Sequence, residues 1–112
     1  MDSQRLRSIL LVETCMRVVE SAGRHITVLH RGDADAGSIF IKVYSRNGLA
    51  SLFGQSLSDD GKLVWRNVLS ENSRTEASAD ERIANEIRVD RDIWVLEVLD
   101  DSLQNPLTPE DH

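Results

Sequence analysis

The chain has 112 residues, a formal net charge of −6 and a single cysteine. This length fits one domain, and a lone cysteine excludes an internal disulfide, which favours a reducing cytoplasm. Because an acidic chain repels a phosphate backbone, the composition argues against general nucleic-acid binding.

The first predicted element is an amphipathic helix over about residues 4–22. Its apolar side chains recur at helical spacing, so they share one face. Gly23 follows as the expected C-cap. The apolar run over residues 9–12 ends at Glu13 and is too short for a signal-peptide core or a membrane span. We therefore expect a cytoplasmic protein without membrane contact.

After this helix the apolar period changes to two, which is typical of strands. Asn47 and Gly48 predict a type I′ hairpin turn, and Gly61 ends a second turn signal. Such connections between consecutive strands predict an antiparallel meander. The strands of this region are predicted over residues 26–29, 39–45, 49–54 and 63–68.

The last third of the chain predicts a short helix and a buried strand. Ser78 and Glu81 match the S-x-x-E capping box, in which each side chain satisfies a free backbone donor of the other. The polar residues 70–77 before it are expected to form a loop. Residues 93–99 are apolar on both faces except at Glu97, which predicts a strand inside the sheet.

The predicted order is therefore α-β-β-β-β-α-β. It indicates an α+β fold with a mainly antiparallel sheet of four to five strands. The N-terminal helix and the second, short helix are expected to pack on one face of this sheet. We expect a single domain over residues 1–104 and a flexible C-terminal tail over residues 105–112, which contains Pro106 and Pro109.

Three features carry a family resemblance: the N-terminal helix ending in glycine, the loop over residues 31–37 entering a strand, and the block over residues 82–98. The most specific part is Asp90-Arg91-Asp92, followed by an apolar residue and Trp94-Val95. In these features the chain resembles the bacterial proteins of the domain of unknown function 1491, from about residue 6 to residue 107. Members often have proline where this chain has Arg91. The resemblance implies the fold boundaries and an intracellular bacterial protein, and it implies no activity, cofactor or partner.

The charged loop, residues 31–38, is the main candidate site. It lacks the Lys-Ser/Thr pair of a phosphate loop and opens a strand rather than a helix. Counted from Asp33, it also lacks the glycine and the final acid of an EF-hand. Its two glycines, Gly32 and Gly37, are expected to permit backbone angles or close approaches that a Cβ would obstruct.

The aspartates of this loop have two interpretations. Asp33 and Asp35 either bond their own backbone in a turn or face a partner. Two neighbouring carboxylates are more than one turn requires, which favours the binding role. Arg31 in turn is suited to grip a carboxylate.

Other reactive side chains do not form a recognisable centre. His25 and His30 flank one predicted strand and point to opposite faces, and the chain has no paired-cysteine spacing, so we expect no metal. Cys15 lies in an apolar helix stripe, where a free cysteine usually packs as a small hydrophobe. We expect no catalytic residue and no cofactor.

The two tryptophans pose a question of burial. Trp94 has apolar neighbours and is expected in the core. Trp65 lies beside Arg66 and Asn67, so it is either a core residue or an anchor in a partner interface.

Together these patterns predict a small cytoplasmic binding or interaction module without catalysis. Its partner would be a second copy of the chain or another protein, and neither nucleic acid nor membrane. The candidate binding residues are Arg31, Asp33, Asp35 and Trp65. The alternative is a small-molecule sensor or enzyme that uses Arg31, Asp33 and Asp35 to bind a polar ligand. A deep pocket converging on Arg31 would favour this alternative, and a flat apolar patch would favour the interaction module.

Overall fold

The computed structural model describes residues 7–107 as two helices, a short 3₁₀ helix and a five-stranded sheet. Helix α1 spans Ser8–Ser21, and helix α2 spans Glu76–Val89. The predicted α+β class and the order of elements are confirmed. The strands are β1 (Ile26–His30), β2 (Ile39–Tyr44), β3 (Ala50–Leu57), β4 (Leu63–Asn67) and β5 (Trp94–Leu99), and the 3₁₀ helix is Glu71–Ser73.

The sheet is mixed, with the strand order β1-β5-β2-β3-β4. Strands β2, β3 and β4 form the predicted antiparallel meander. Strand β5 lies between β1 and β2, antiparallel to the first and parallel to the second. The prediction of an interior strand over residues 93–99 is therefore confirmed, because β5 is hydrogen-bonded on both sides and its alternating side chains meet a core on each face.

The two helices cover opposite faces of the sheet, so the expectation that both pack on one face is wrong. Helix α1 packs Val12, Cys15 and Val19 against one face, the α1 face. Helix α2 packs Ala79 and Ile83 against the other, the α2 face. Both faces of the sheet must be shielded from water because β2 and β5 carry large side chains on each face. The buried hydrophobic sheet residues of the α1 face are Ile26, Ile39, Ile41, Val43, Trp94, Leu96 and Val98, and those of the α2 face are Ala50, Leu52 and Val95.

The hairpin between β2 and β3 forms where predicted, but with another turn type. Gly48 has a φ of +88°, and it is the only residue of this turn with positive φ. A type I′ turn would require positive φ at Asn47 as well. Instead, the amide of Gly48 donates to the carbonyl of Ser45 at 3.3 Å, and the amide of Ser45 donates to the carbonyl of Leu49 at 2.9 Å. This longer connection needs the left-handed conformation only at its glycine.

Helix α2 begins about one turn before the predicted capping box, so that prediction is wrong. Thr75 is the N-cap, and its Oγ1 accepts a hydrogen bond from the amide of Ser78 at 3.1 Å. An isolated β-bridge joins Thr75 to Leu49, and the amide of Glu76 donates to the carbonyl of Gly48 at 2.9 Å. These contacts with a turn distant in sequence fix where the helix starts.

The ends of the described chain contact the domain. Asn105 is buried, and Leu107 packs against the core on the α1 face. Residues 4–6 of the predicted first helix and residues 108–112 of the predicted tail lie outside the described residues. The division into a domain over 1–104 and a flexible tail over 105–112 stays a prediction. Each helix has 14 residues, so no helix within residues 7–107 is long and apolar enough to cross a membrane.

Candidate functional site

The charged loop crosses the entrance to β5 at very close range. A Cβ added at Gly32 or at Gly37 would overlap the carbonyl oxygen of Asp92, and at Gly32 it would also overlap the backbone of Ile93. Neither glycine has positive φ. Their role is therefore close approach between backbones rather than an unusual backbone angle, and the expectation that a Cβ would be obstructed here is confirmed.

Asp33 holds the loop together through its side chain and its backbone. Its Oδ2 accepts hydrogen bonds from the amides of Asp35 and Ala36, at 3.1 and 2.8 Å. Its own amide donates to the carbonyl of Asp92 at 2.9 Å. Its carbonyl accepts the indole N–H of Trp94 at 2.7 Å. The carboxylate thus closes the aspartate turn that the sequence suggested, and the backbone ties the turn to β5.

The same loop satisfies free donors at the start of α1. The amides of Ser8 and Ile9 donate to the carbonyls of Asp35 and Ala34, at 3.3 and 2.9 Å. The carboxylate of Asp35 accepts from Nε of Arg7 at 2.6 Å, and both side chains are more than half exposed. An ion pair in that much water contributes little to stability. The loop backbone, more than its outer charges, therefore positions α1.

Arg31 lies over the ring of Trp94, with its guanidinium carbon 5.3 Å from the ring centroid. Trp94 is 1% exposed, so the expectation that it belongs to the core is confirmed. A cation over a tryptophan face is attracted by the ring quadrupole. Arg31 lines neither of the two clefts described below.

Substitution of the two loop aspartates should separate a structural carboxylate from an exposed one. Asp33→Ala should lower the free energy of unfolding by about 1–2 kcal/mol, because two amides lose their acceptor. Asp35→Ala, the matched control in the same loop, should change it by less than about 0.5 kcal/mol. Urea denaturation measures both. Equal losses in the two variants would contradict the role assigned to Asp33.

Lys42 forms a second cluster of charge, on the α2 face. Its side chain is 2% exposed, although it ends in an ammonium group. Nζ donates to the carboxylates of Asp80, Glu76 and Glu97 at 2.8, 3.0 and 3.0 Å. Nζ also lies 5.2 Å from the centroid of the Tyr44 ring. The cluster links the first two turns of α2 to β2 and β5.

Burial and pairing act on Lys42 in opposite directions. Burial by itself would lower its pKa, but the hydrogen bonds to Asp80, Glu76 and Glu97 outweigh burial and raise the pKa. An ammonium held in this way is neither a base nor a nucleophile at neutral pH. The cluster therefore stabilises the fold and does not provide a catalytic group.

Replacing Lys42 should destabilise the protein strongly at neutral pH. Lys42→Met keeps the length of the side chain but removes the cation that three carboxylates share, so we expect a loss of about 3 kcal/mol in the free energy of unfolding. The only other lysine, Lys62, is 79% exposed. Lys62→Met is thus the matched control, with an expected change below about 0.5 kcal/mol. Similar losses in both variants would refute the role of Lys42.

The comparison of wild type with Lys42→Met also gives a prediction for the pH dependence of stability. Because the folded state raises the pKa of Lys42 above its ordinary 10.5, its stabilising contribution is complete below pH 10.5 and is lost as the pH rises further. Burial also raises the pKa of the Cys15 thiol, from 9.0 to about 12, but that effect is common to both proteins. The stability gap between wild type and Lys42→Met should stay constant from pH 7 to about 10.5 and narrow above it. A gap that narrows below pH 9 would contradict this linkage.

An open cleft of about 520 Å³ lies on the α2 face, at the end of the sheet that carries β4. Phe40 and Val68 pack closely over Gly54, since a Cβ there would lie 3.0 Å from the ring of Phe40 and 3.3 Å from Val68. The cleft is lined by Phe40, Gly54, Gln55, Ser56, Arg66, Asn67, Val68, Leu69, Ser70 and Arg82. We refer to it as the basic cleft.

Both ionisable side chains that line the basic cleft are arginines. Arg82 donates from Nε to Glu86 at 2.7 Å and from Nη1 to the carbonyl of Val68 at 3.0 Å, which fixes its guanidinium. Arg66 is exposed and forms no salt bridge within residues 7–107. The sequence prediction missed this cleft. A glycine inside a predicted strand followed by an arginine on the next strand was the available signal.

Trp65 lies on β4 near this cleft, but its side chain is on the opposite face of the sheet. It is half-buried on the α1 face of β4 and packs against the core there. Strand β4 is at the edge of the sheet. The remaining predicted binding residues, Arg31, Asp33 and Asp35, belong to the charged loop between β1 and β2. The structure therefore does not unite the four predicted residues in one site.

The other candidate groups have partners in the fold. A second cleft, of about 410 Å³, contains Arg24 and Arg46, which pair with Asp100 and Asp101 at 3.2 and 2.8 Å. In the described part of the chain, no three His, Cys, Asp or Glu side chains are grouped as a metal site would require. Nδ1 of His30 lies 2.8 Å from the carbonyl oxygen of Ile93.

Solved structures of related proteins are similar to this chain. The crystal structure of a DUF1491 family protein from Caulobacter crescentus CB15 has a TM-score of 0.85 at 33% identity, over 93% of this chain and 96% of the other. The NMR structure of a DUF1491 family protein from the same organism has a TM-score of 0.80 at 33% identity, over 92% and 93%. The solution structure of protein Atu0922 from A. tumefaciens has a TM-score of 0.77 at 26% identity, over 96% and 97%.

The comparison with protein families agrees with these structures. No curated protein matches the chain. The sequence model of the family described as "Protein of unknown function (DUF1491)" matches residues 6–108, which is nearly the whole chain. The resemblance noted from the glycine-ended helix, the charged loop and the Asp-x-Asp block is thereby confirmed, and the chain belongs to the DUF1491 family.

Proposed function

We propose that the chain is a small, non-catalytic binding module and that it binds through the basic cleft. The observation that carries this proposal is Arg66, which has no salt bridge within residues 7–107 and lines an open cleft in a protein whose net charge is −6. An arginine without an internal partner in an acidic protein is available to an external anion.

The chemistry of the cleft favours a carboxylate-bearing protein segment as the partner. A guanidinium offers a planar fork of donors that matches a carboxylate in two-point contact. The hydroxyls of Ser56 and Ser70 line the same cleft and add neutral donors. Phe40 and Val68 supply apolar surface beside them. A site with few charges and some apolar area suits a peptide better than an inorganic ion.

The protonation of Cys15 and Lys42, the two candidate nucleophiles, supports the proposal that the module is not catalytic. Cys15 is buried, and its pKa is raised to about 12, so it carries no thiolate at neutral pH. Lys42 is protonated within its three carboxylates. The alternative of a sensor or enzyme centred on Arg31, Asp33 and Asp35 is less well supported, because these side chains contact Trp94, the loop amides and Arg7.

We further propose that the module acts in the bacterial cytoplasm, with another protein as its partner. A second copy of the chain is the other candidate partner. Nucleic acid and anionic membranes are disfavoured because a net charge of −6 opposes both.

A titration with a defined acidic peptide tests this function. The probe is a capped peptide rich in Glu, with its Gln counterpart as the ligand control, and binding is followed by amide chemical shifts of the protein. Arg66→Ala should weaken binding about tenfold or more, since a charge-assisted hydrogen bond is worth about 1.5–3 kcal/mol. Arg17→Ala, on the exposed side of α1, removes the same charge and should not.

Two outcomes would contradict the proposal. Equal affinity for the Glu and Gln peptides would show that charge in the cleft is not used. Shift changes centred on residues 31–37 rather than on the cleft would favour the sensor or enzyme alternative.

A further inference from the structure

We propose that the partner segment binds as an added strand along the outer edge of β4, with acidic side chains on the α2 face and apolar side chains on the α1 face. This inference rests on the proposed function and gives the bound segment a conformation and a sequence pattern. Strand addition of this kind obtains affinity from backbone hydrogen bonds and specificity from alternate side chains.

The register of β4 shows which of its backbone groups are free. Just outside its two ends, the amide of Val68 donates to the carbonyl of Leu52 at 2.7 Å, and the amide of Ser58 donates to the carbonyl of Lys62 at 2.8 Å. Antiparallel partners alternate between bonded and non-bonded pairs. Val64 and Arg66, paired with Ser56 and Gly54, are therefore bonded to β3.

The residues between them turn their backbone groups outward. Leu63, Trp65 and Asn67 occupy the non-bonded positions of the β3–β4 ladder. Their amides and carbonyls point away from β3, where the sheet has no further strand in the described chain. This edge thus offers a row of donors and acceptors that an extended peptide can use.

The opposite edge of the sheet is less suitable. The register of β1 on β5 shifts between Val28 and His30, which marks a bulge. A bulge twists the edge and interrupts the even spacing of free backbone groups. Strand β4 pairs with β3 without a shift from Leu63 to Asn67. Of the two edges, β4 is therefore the better template.

Side chains on β4 define what the added strand must carry. Arg66 lies on the α2 face beside the basic cleft, because it is paired with Gly54. Trp65 lies on the α1 face and is half-buried. Side chains on neighbouring strands are about 5 Å apart on the same face. An acidic residue of the added strand would pair with Arg66, and an apolar residue would pack on Trp65. Because Arg66 and Trp65 lie on opposite faces, the segment must alternate acidic and apolar residues.

Charge also argues for a different protein rather than a second copy. On the α2 face, the second copy's β4 would present Val64 and Arg66, which supply no carboxylate to pair with Arg66. The occupant proposed is therefore an acidic extended segment of another protein.

The test uses the full chain and four capped peptides as long as β4. In the first, Glu and Val alternate; in the second, the same residues stand in two blocks. The third and the fourth are the alternating peptide with N-methyl groups on one or on the other set of alternate amides. For each peptide, we measure the affinity for the protein and the hydrogen-exchange rates of the Trp65 and Asn67 amides. The alternating peptide should slow their exchange about tenfold or more, and the block and at least one N-methyl form should not. Arg66→Glu should abolish this protection, whereas Arg17→Glu should retain it.

The alternative outcomes separate the two proposals. Equal binding of the alternating and block peptides at the cleft, without slowed exchange at Trp65 and Asn67, would overturn strand addition and leave the binding function standing. No binding of any acidic peptide would overturn both. Protection of these amides in the free protein, with dimers in sedimentation equilibrium, would overturn the proposed occupant and assign the edge to a second copy.

Discussion

The close passage of the charged loop over the entrance to β5 is the constraint on which the rest of the fold depends. Strand β5 can lie between β1 and β2 only if the connection from β1 to β2 crosses it. Gly32 and Gly37 make that crossing with no space for a Cβ above the carbonyl of Asp92. The same loop receives the indole N–H of Trp94 and the first amides of α1. The loop thus joins the connection between β1 and β2 to the start of β5 and to the start of α1.

This constraint gives the most conspicuous sequence motif, the charged loop, a structural role. Glycines that bracket charged residues in a loop are common in binding sites. Here the glycines serve a crossing, and Asp33 serves the turn that the crossing requires. The turn of Asp33 is local and visible in the sequence, but the approach of Gly32 and Gly37 to Asp92 joins residues far apart in the chain, so no local pattern reveals the crossing. The internal use of the loop leaves the exposed arginine of β4 as the better supported binding residue.

The elements themselves were predictable because their signals are local. The helical period, the alternation of β2 and the two-sided apolar pattern of β5 each follow from neighbouring residues. What the sequence could not supply was long-range pairing: the parallel contact of β2 with β5, and the bridge from Leu49 to Thr75 that moves the start of α2. The placement of the helices on opposite faces follows from the same cause. Carboxylates of α2 cover Lys42 on one side of β2, which is a further contact between residues distant in sequence.

Lys42 and Arg66 show how position in a sheet determines the role of a basic side chain. Both stand on the α2 face, one on a central strand and the other at an edge. A cation on a central strand is covered by the helix above it, so the fold must provide carboxylates, and Glu76, Asp80 and Glu97 do so. A cation on an edge strand stays in water, so the fold need provide none. Arg66 therefore keeps its charge exposed, and strand order, which the sequence does not display, separates the structural cation from the one for which we propose an external partner.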